Sequence, residues 1–400
     1  MARTVVVVGH GMVGHRLAEE ISSRDRDGTW RTVLLTDEAR PAYDRVTLSS
    51  YLHGSSADEL RLAGERFSAN PNVEVRRRTR VAGIDRDACR VITEGGERIG
   101  YDALVLATGA RPIVPPVAGA GAGGCFVYRT LDDLEAIRQT ATPGGAGVVV
   151  GGGLLGLEAA NALRILGMRV SVVERAPWLL PLQVDRRGGA LLRRLVAERG
   201  IEAHCGTELA AIEAGDDGRV RGVVTTAGEC LPAELVIFSV GVSPRDELAR
   251  AAGLAVAEGG GILVDDRCRT GDPRIWAVGD CAAVNGRCYP LVAPGYRMAE
   301  TVAQQLLGDR GRAFPGADTS TRLKMLGVEV ASFGDAHAET DGAVELSYAT
   351  EGSYAKLVLG PDTRTLLGGV LAGDASAYPV LHPLVGHELP AQPERLLASR

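Results

Sequence analysis

Two glycine-rich turns constrain this chain more than any other feature. The first, Gly9-His10-Gly11-Met12-Val13-Gly14, follows the apolar run Thr4 to Val8 and precedes HRLAEEI, which has helical spacing. The second, Gly151-Gly152-Gly153-Leu154-Leu155-Gly156, follows GVVV and precedes LEAANALRILG. A continuous β-branched run before such a turn reads as a parallel strand buried on both faces. The first glycine of each turn permits a tight bend, the second lets backbone approach a pyrophosphate, and the third lets helix pack closely on strand. The helix start then offers free N–H groups and the positive end of its dipole to phosphate. An acid after the next strand completes each unit. TVLLTDEA (Thr32 to Ala39) places Asp37 and Glu38 there, and RVSVVER ends in Glu174 and Arg175. A carboxylate at that point accepts from ribose hydroxyls. One glycine turn is weak evidence. Strand, turn, helix and acid in order, twice, predict two dinucleotide sites.

Two NAD sites in one chain make little chemical sense. FAD with a nicotinamide does, because a hydride passes from one ring to the other. A carboxylate at Glu174 repels a 2′-phosphate and favours NADH, whereas Arg175 beside it keeps NADPH as the alternative.

The rest of the chain narrows the class. Four hundred residues suggest two or three domains, and 45% hydrophobic with 24% charged residues argues for folded structure over most of the length. A net charge of −6 leaves no basic footprint for nucleic acid, and VRRRTR (Val75 to Arg80) reads as a solvated strand end. No apolar run reaches the roughly 18 residues of a membrane span, and the chain enters a strand almost at once, so neither membrane nor signal peptide is expected. The seven cysteines are scattered and none forms C-x-x-C. That pattern fits free thiols in a reducing cytoplasm and predicts no metal site.

Two further strands carry signals. DALVLATGARP (Asp102 to Pro112) ends in Ala107-Thr108-Gly109, and RIWAVGDCAAV (Arg274 to Val284) contains Gly279-Asp280. With the two glycine turns they resemble the two-dinucleotide flavoproteins that include glutathione reductase-like and ferredoxin reductase-like enzymes. PAYDRVTLSSYL (Pro41 to Leu52), APWLLPLQVD (Ala176 to Asp185), LVAPGYRMAE (Leu291 to Glu300), GADTSTRLKMLGVEVASFGDAHA (Gly316 to Ala338) and TLLGGVLAGDASAY (Thr365 to Tyr378) narrow it. They are similar to the N-terminal flavoprotein region of NAD(P)H-dependent nitrite reductase large subunits, over nearly the whole chain.

The resemblance implies an α/β fold. Two Rossmann-like domains would form it, with an FAD domain (1–112 and 240–311) split around an NAD(P)H domain (113–239). A small α+β C-terminal domain (312–400) would follow, with a polar tail HELPAQPERLLASR and a homodimer contact. The FAD site would comprise Gly9, Gly11, Met12, Gly14, Asp37, Arg45, Val81, Ala107, Thr108, Gly109, Gly279 and Asp280. The helix near Pro294 to Tyr296 would aim its positive end at the flavin. The nucleotide site would comprise Gly151, Gly153, Leu154, Leu155, Gly156, Glu158, Glu174 and Gly241. Glu158 resembles a family glutamate near the nicotinamide. Glu158 and His53 are the candidates for acid–base work. His10 and His337 read as structural.

Absences sharpen the expectation. Disulfide reductases of this kind place a cysteine pair on the helix after the first FAD unit, where this chain reads YDRVTLSSYLHG. Cys281 and Cys288 have no second pair to complete a tetrahedral metal site and read as ordinary thiols. Whole nitrite reductase large subunits continue into iron–sulfur and sirohaem parts, and the resemblance ends before them. The expected activity is hydride transfer from NADH to FAD. Electrons then go to a separate acceptor, a ferredoxin-like protein, a nitrite-reducing component or a small molecule. Direct flavin oxidation of a metabolite and a non-catalytic flavin subunit are the alternatives.

Overall fold

The computed structural model describes residues 2–392 and 396, apart from 63, 65, 66, 68 and 310. The end of the expected polar tail therefore lies outside the described residues. The chain forms two compact units. One comprises the residues up to Tyr51, Ser55–Arg111 and Val242–Asp318. The other comprises Leu52–Gly54, Pro112–Gly241 and the chain from Thr319 onward.

The first unit is built on a five-stranded parallel sheet, in the order Ile275–Ala277, Ala103–Leu106, Arg3–Val8, Trp30–Leu35, Val73–Arg76. Its central strands are valine- and leucine-rich because both faces are covered, and Val5, Val6, Val7, Leu104 and Val105 are wholly buried. The helices Met12–Arg24 and Val292–Leu306 pack together. A three-stranded antiparallel sheet, Val81–Asp85, Arg90–Thr93 and Arg98–Gly100, adds to this unit.

The second unit repeats the parallel design in the order Ile201–Cys205, Arg169–Glu174, Ala146–Val150, Leu235–Phe238, Cys125–Val127. The helix Leu154–Ile165 lies on this sheet through small residues, and Ala159, Ala160 and Ala162 are fully buried. The same unit holds a five-stranded antiparallel sheet, Thr321–Met325, Val328–Gly334, Leu366–Gly373, Tyr354–Leu359, Val344–Ala349. This is the α+β segment expected from the sequence, with the short helix Tyr378–Leu381 beside it. It is docked on the helix Arg186–Ala197. Arg187 donates to Ser347 Oγ at 3.0 Å, Arg194 to the Glu351 carbonyl and Arg199 to the Leu326 carbonyl. His337 Nε2 lies 3.1 Å from the Leu182 carbonyl oxygen, a structural use of that ring. Among the described residues no helix is long and apolar enough to cross a membrane.

Candidate dinucleotide sites

Each glycine turn sits at the carboxyl end of a central parallel strand, where ligands of open α/β sheets bind. In the first unit Gly9 has φ +108°, and a Cβ there would overlap the Ala107 carbonyl. A Cβ on Gly14 would overlap the Gly9 carbonyl. Both glycines serve close packing. Gly11 differs. A Cβ there meets only Arg45 Nε, at 4.0 Å. Gly11 caps the helix Met12–Arg24 with no side-chain hydrogen bond, and the first turn holds no acid. Open space in front of uncapped N–H groups is what a pyrophosphate requires.

The second unit has the same geometry. Gly151 has φ +111°, and its Cβ would overlap the Ser239 carbonyl, while that of Gly156 would overlap the Gly151 carbonyl. A Cβ on Gly153 meets nothing within 4 Å, and Gly153 caps Leu154–Ile165 without a side-chain bond. Leu154 and Leu155 open this helix, Leu155 being 40% exposed. The residues present thus leave room for one pyrophosphate in each unit.

The acids behave differently from one another. The second strand of the first unit stops at Leu35, two residues short of Asp37. Asp37 is exposed and lies 3.6 Å from Arg245 Nη1. Glu38 accepts from the Tyr43 hydroxyl at 2.9 Å and pairs with Arg45. Glu174 ends its strand and is buried. Its carboxylate accepts from Gly152 N–H at 2.5 Å and Ala176 N–H at 2.6 Å, which leaves one lone pair on each oxygen. Arg175 is exposed.

Ala107 and Gly279 touch the first turn, Ala107 at Gly9 and Gly279 at Val13. Thr108 Oγ1 donates to the Arg245 carbonyl at 2.6 Å, and Arg245 N–H donates to the Gly109 carbonyl at 2.9 Å. Ala107, Thr108 and Gly109 are half-buried. Gly279 has φ +77° and packs on Val13, with Asp280 half-buried beside it. The helix carrying Pro294 begins at Val292, and its N-cap Leu291 supplies no side-chain bond. Val81 opens the antiparallel sheet, away in sequence from the turn. In the second unit Gly241 has φ +123°, and its carbonyl accepts from Ile113 N–H at 3.0 Å.

His53 is exposed, after a short 3₁₀ turn, Leu48–Tyr51, rather than a full helix. His10 turns inward. Its Nε2 lies 3.3 Å from His15 Nδ1, and both rings contact Phe67. Burial, then the neighbouring His15 and Arg77, push its pKa down to about 3, so it is neutral near pH 7 and carries no charge to a phosphate. All seven cysteines are free. Burial pushes the Cys281 and Cys288 thiols up, which suits inert packing groups. Among the described residues no cluster of three or more His, Cys, Asp or Glu side chains is arranged to hold a metal ion.

Sequence reasoning missed one polar group. Tyr128 follows the strand Cys125–Val127 and is 5% exposed, and among the described residues its hydroxyl has no hydrogen-bond partner. Glu158, on the helix Leu154–Ile165, is half-buried, and burial pushes its carboxyl up.

Comparisons with known proteins agree with this geometry. The pyridine nucleotide-disulphide oxidoreductase family matches residues 3–305, and the rubredoxin NAD+ reductase C-terminal domain matches residues 320–388. A nitrite reductase [NAD(P)H] large subunit from Klebsiella oxytoca is 46% identical over 98% of this chain and 41% of its own length. A rubredoxin-NAD(+) reductase from Alcanivorax borkumensis is 32% identical over 93% of this chain and 95% of its own. Among solved structures, the covalent putidaredoxin reductase–putidaredoxin complex superposes with a TM-score of 0.86 at 29% identity, over 99% of this chain and 96% of that one. The chain spans less than half the length of the nitrite reductase relatives it matches. With two open glycine cradles and seven free thiols, the chain belongs to the pyridine nucleotide-disulphide oxidoreductase family.

Proposed function

We propose that this chain draws a hydride from NADH and hands the electrons to a separate acceptor. The acceptor is a ferredoxin-like protein, an iron–sulfur or nitrite-reducing component, or a small molecule. The observation that carries the reading is the pair of open cradles at Gly11 and Gly153, each facing an uncapped helix start. When bound, FAD supplies a ring that takes up two electrons together and releases them singly or in pairs.

The chain's own residues bind and orient. In the first unit Gly11 and Met12 N–H groups and the helix dipole neutralise the pyrophosphate. Asp37 takes the ribose hydroxyls, and Arg45 exchanges Glu38 for a phosphate oxygen. Val81 lies against the adenine, and Ala107, Thr108, Gly109, Gly279 and Asp280 line the rest. In the second unit Gly151, Gly153, Leu154, Leu155 and Gly156 hold the nucleotide phosphates, and Gly241 borders them. The free lone pairs of Glu174 accept from the adenosine ribose, and its charge disfavours NADPH. Holding the two ligands in register supplies most of the rate. The free thiols support a cytoplasmic setting, and the C-terminal sheet supplies a homodimer contact. The relatives named for rubredoxin and putidaredoxin support a small redox protein as acceptor.

Steady-state turnover separates this reading from an oxidase. The FAD-loaded chain should oxidise NADH rapidly with ferricyanide or a ferredoxin and slowly with oxygen alone. Equal rates with oxygen alone, with peroxide formed in step, would replace the proposal by direct oxygen reduction.

A further inference from the structure

Arg245 spans the mouth of the first cradle. Leu106, Val8 and Leu35 form one register row across neighbouring parallel strands, with Val8 in the middle. Gly9 follows Val8, Thr108 and Gly109 follow Leu106, and Asp37 follows Leu35, so all stand at the carboxyl edge. The backbone of Arg245 is fixed at the Leu106 end of that row. Thr108 Oγ1 donates to its carbonyl at 2.6 Å, and its N–H donates to the Gly109 carbonyl at 2.9 Å. Its guanidinium reaches the Leu35 end, where Nη1 lies 3.6 Å from Asp37 Oδ2. Neighbouring strands are about 4.8 Å apart, so the side chain bridges a gap of two spacings. It crosses the end of the middle strand, where the turn at Gly9 begins.

The anchor is rigid and the tip is free to turn. Arg245 follows the strand Val242–Pro244 and precedes Asp246, a buried carboxylate that accepts from Gly261 N–H at 2.8 Å. The Arg245 side chain is 45% exposed, and at 3.6 Å its contact with Asp37 is an ion pair rather than a hydrogen bond. The donors of the fork are therefore not committed to that carboxylate, and an exposed pair of this kind adds little to stability. Charge gives it a use. Asp37 and Glu38 follow one strand at this edge and Asp280 another, and Glu38 already engages Arg45. A pyrophosphate brings further negative charge to the same edge. The helix start at Gly11 and Met12 meets it with partial charges, whereas a guanidinium meets it with a full charge and two parallel hydrogen bonds.

We propose that Arg245 is a strap on FAD: in the loaded chain its guanidinium leaves Asp37, donates to the pyrophosphate and slows release of the flavin. The same movement frees the Asp37 carboxylate for the ribose hydroxyls. The inference rests on the first cradle being the FAD site. It adds to that site a binding residue outside the glycine turn.

The test follows flavin release from the loaded chain after dilution into flavin-free buffer, read as the rise in free-flavin fluorescence at low and at high salt. Arg245→Gln keeps both backbone bonds and removes the charge. It should release flavin about 10- to 100-fold faster, the loss expected for a hydrogen bond to a charged group. Salt should speed release from the unaltered chain more than from Arg245→Gln, because the strap is electrostatic. Arg245→Lys keeps the charge without the fork and should fall between the two. An Asp37→Asn background separates a phosphate contact from steering of Asp37, and Arg245→Gln should speed release there as well. Unchanged release in Arg245→Gln, or an effect that vanishes once Asp37 is replaced, would overturn the strap while leaving the cradle in place. An unaltered chain that binds no FAD would overturn the first cradle as a flavin site, and this inference with it.

Discussion

Gly153→Val should fold, retain its flavin and lose NADH, with Kd rising by at least about 100-fold, or about 2.7 kcal/mol. The protein has room for the side chain, because a Cβ at Gly153 meets nothing within 4 Å and its backbone has φ −77° and ψ −173°. The cost to the fold is at most the loss of a good N-cap, about 1 kcal/mol. A nucleotide has no such room, because the valine stands where its pyrophosphate approaches the backbone. Gly11→Val is the matching change in the first unit. Its Cβ meets only the far end of Arg45, so that variant should purify colourless yet still bind ADP-ribose. The crossed pattern assigns one dinucleotide to each cradle. Two variants with unaltered flavin content and unaltered NADH affinity would leave both glycines as packing residues.

Lys356→Met should lower stability by about 3 kcal/mol, the scale of breaking a buried ion pair. Lys356 is 2% exposed, with Nζ 3.3 Å from Asp185 and 3.6 Å from Glu345. Asp185 also accepts from the Tyr354 hydroxyl at 2.6 Å and from Gly188 N–H at 2.9 Å, capping the helix Arg186–Ala197. One ammonium thus ties the C-terminal sheet to the helix on which it docks. Methionine matches the length of the stem but leaves two carboxylates without their cation. Burial pushes the Asp185 carboxyl up, yet the Gly188 N–H, the Tyr354 hydroxyl and Lys356 outweigh it and hold it below the usual carboxylate range. Its folded pKa is therefore below its unfolded one. The stabilisation is complete above an unfolded pKa of about 4 and is lost as pH falls through the folded value. Urea unfolding at pH 7 and at pH 3 checks both statements. A change under about 0.5 kcal/mol at pH 7 would place Lys356 among ordinary surface charges.

What the sequence revealed follows from the range of the interactions involved. The glycine turns, their strands and helices, and the acid at Glu174 are local patterns of period two and 3.6, written within about thirty residues. The α+β character of the C-terminal segment came instead with the family resemblance. Contacts between distant segments are not visible. Tyr128 reaches the sheet edge that bears the second cradle because Cys125–Val127 pairs with Leu235–Phe238, more than a hundred residues away. For Lys356, likewise, nothing nearby in sequence announces Asp185 as its partner. His10 faces His15 and Phe67 because the first turn rolls its side chain away from the cradle, a consequence of backbone direction at Gly9 and Gly11. The short 3₁₀ turn at Leu48–Tyr51 stands where a helix was expected. Pro41 and the β-branched pair Val46-Thr47 in PAYDRVTLSSYL oppose a longer one.

The central claim is that NADH delivers a hydride to a flavin held by this chain. Anaerobic stopped-flow mixing of the yellow protein with NADH, and separately with NADPH, tests it most directly. The account predicts bleaching of the flavin band by NADH at a catalytic rate, on the order of 10 s⁻¹ or faster, with NADPH slower because of Glu174. Flavin that stays oxidised with both nucleotides would contradict it.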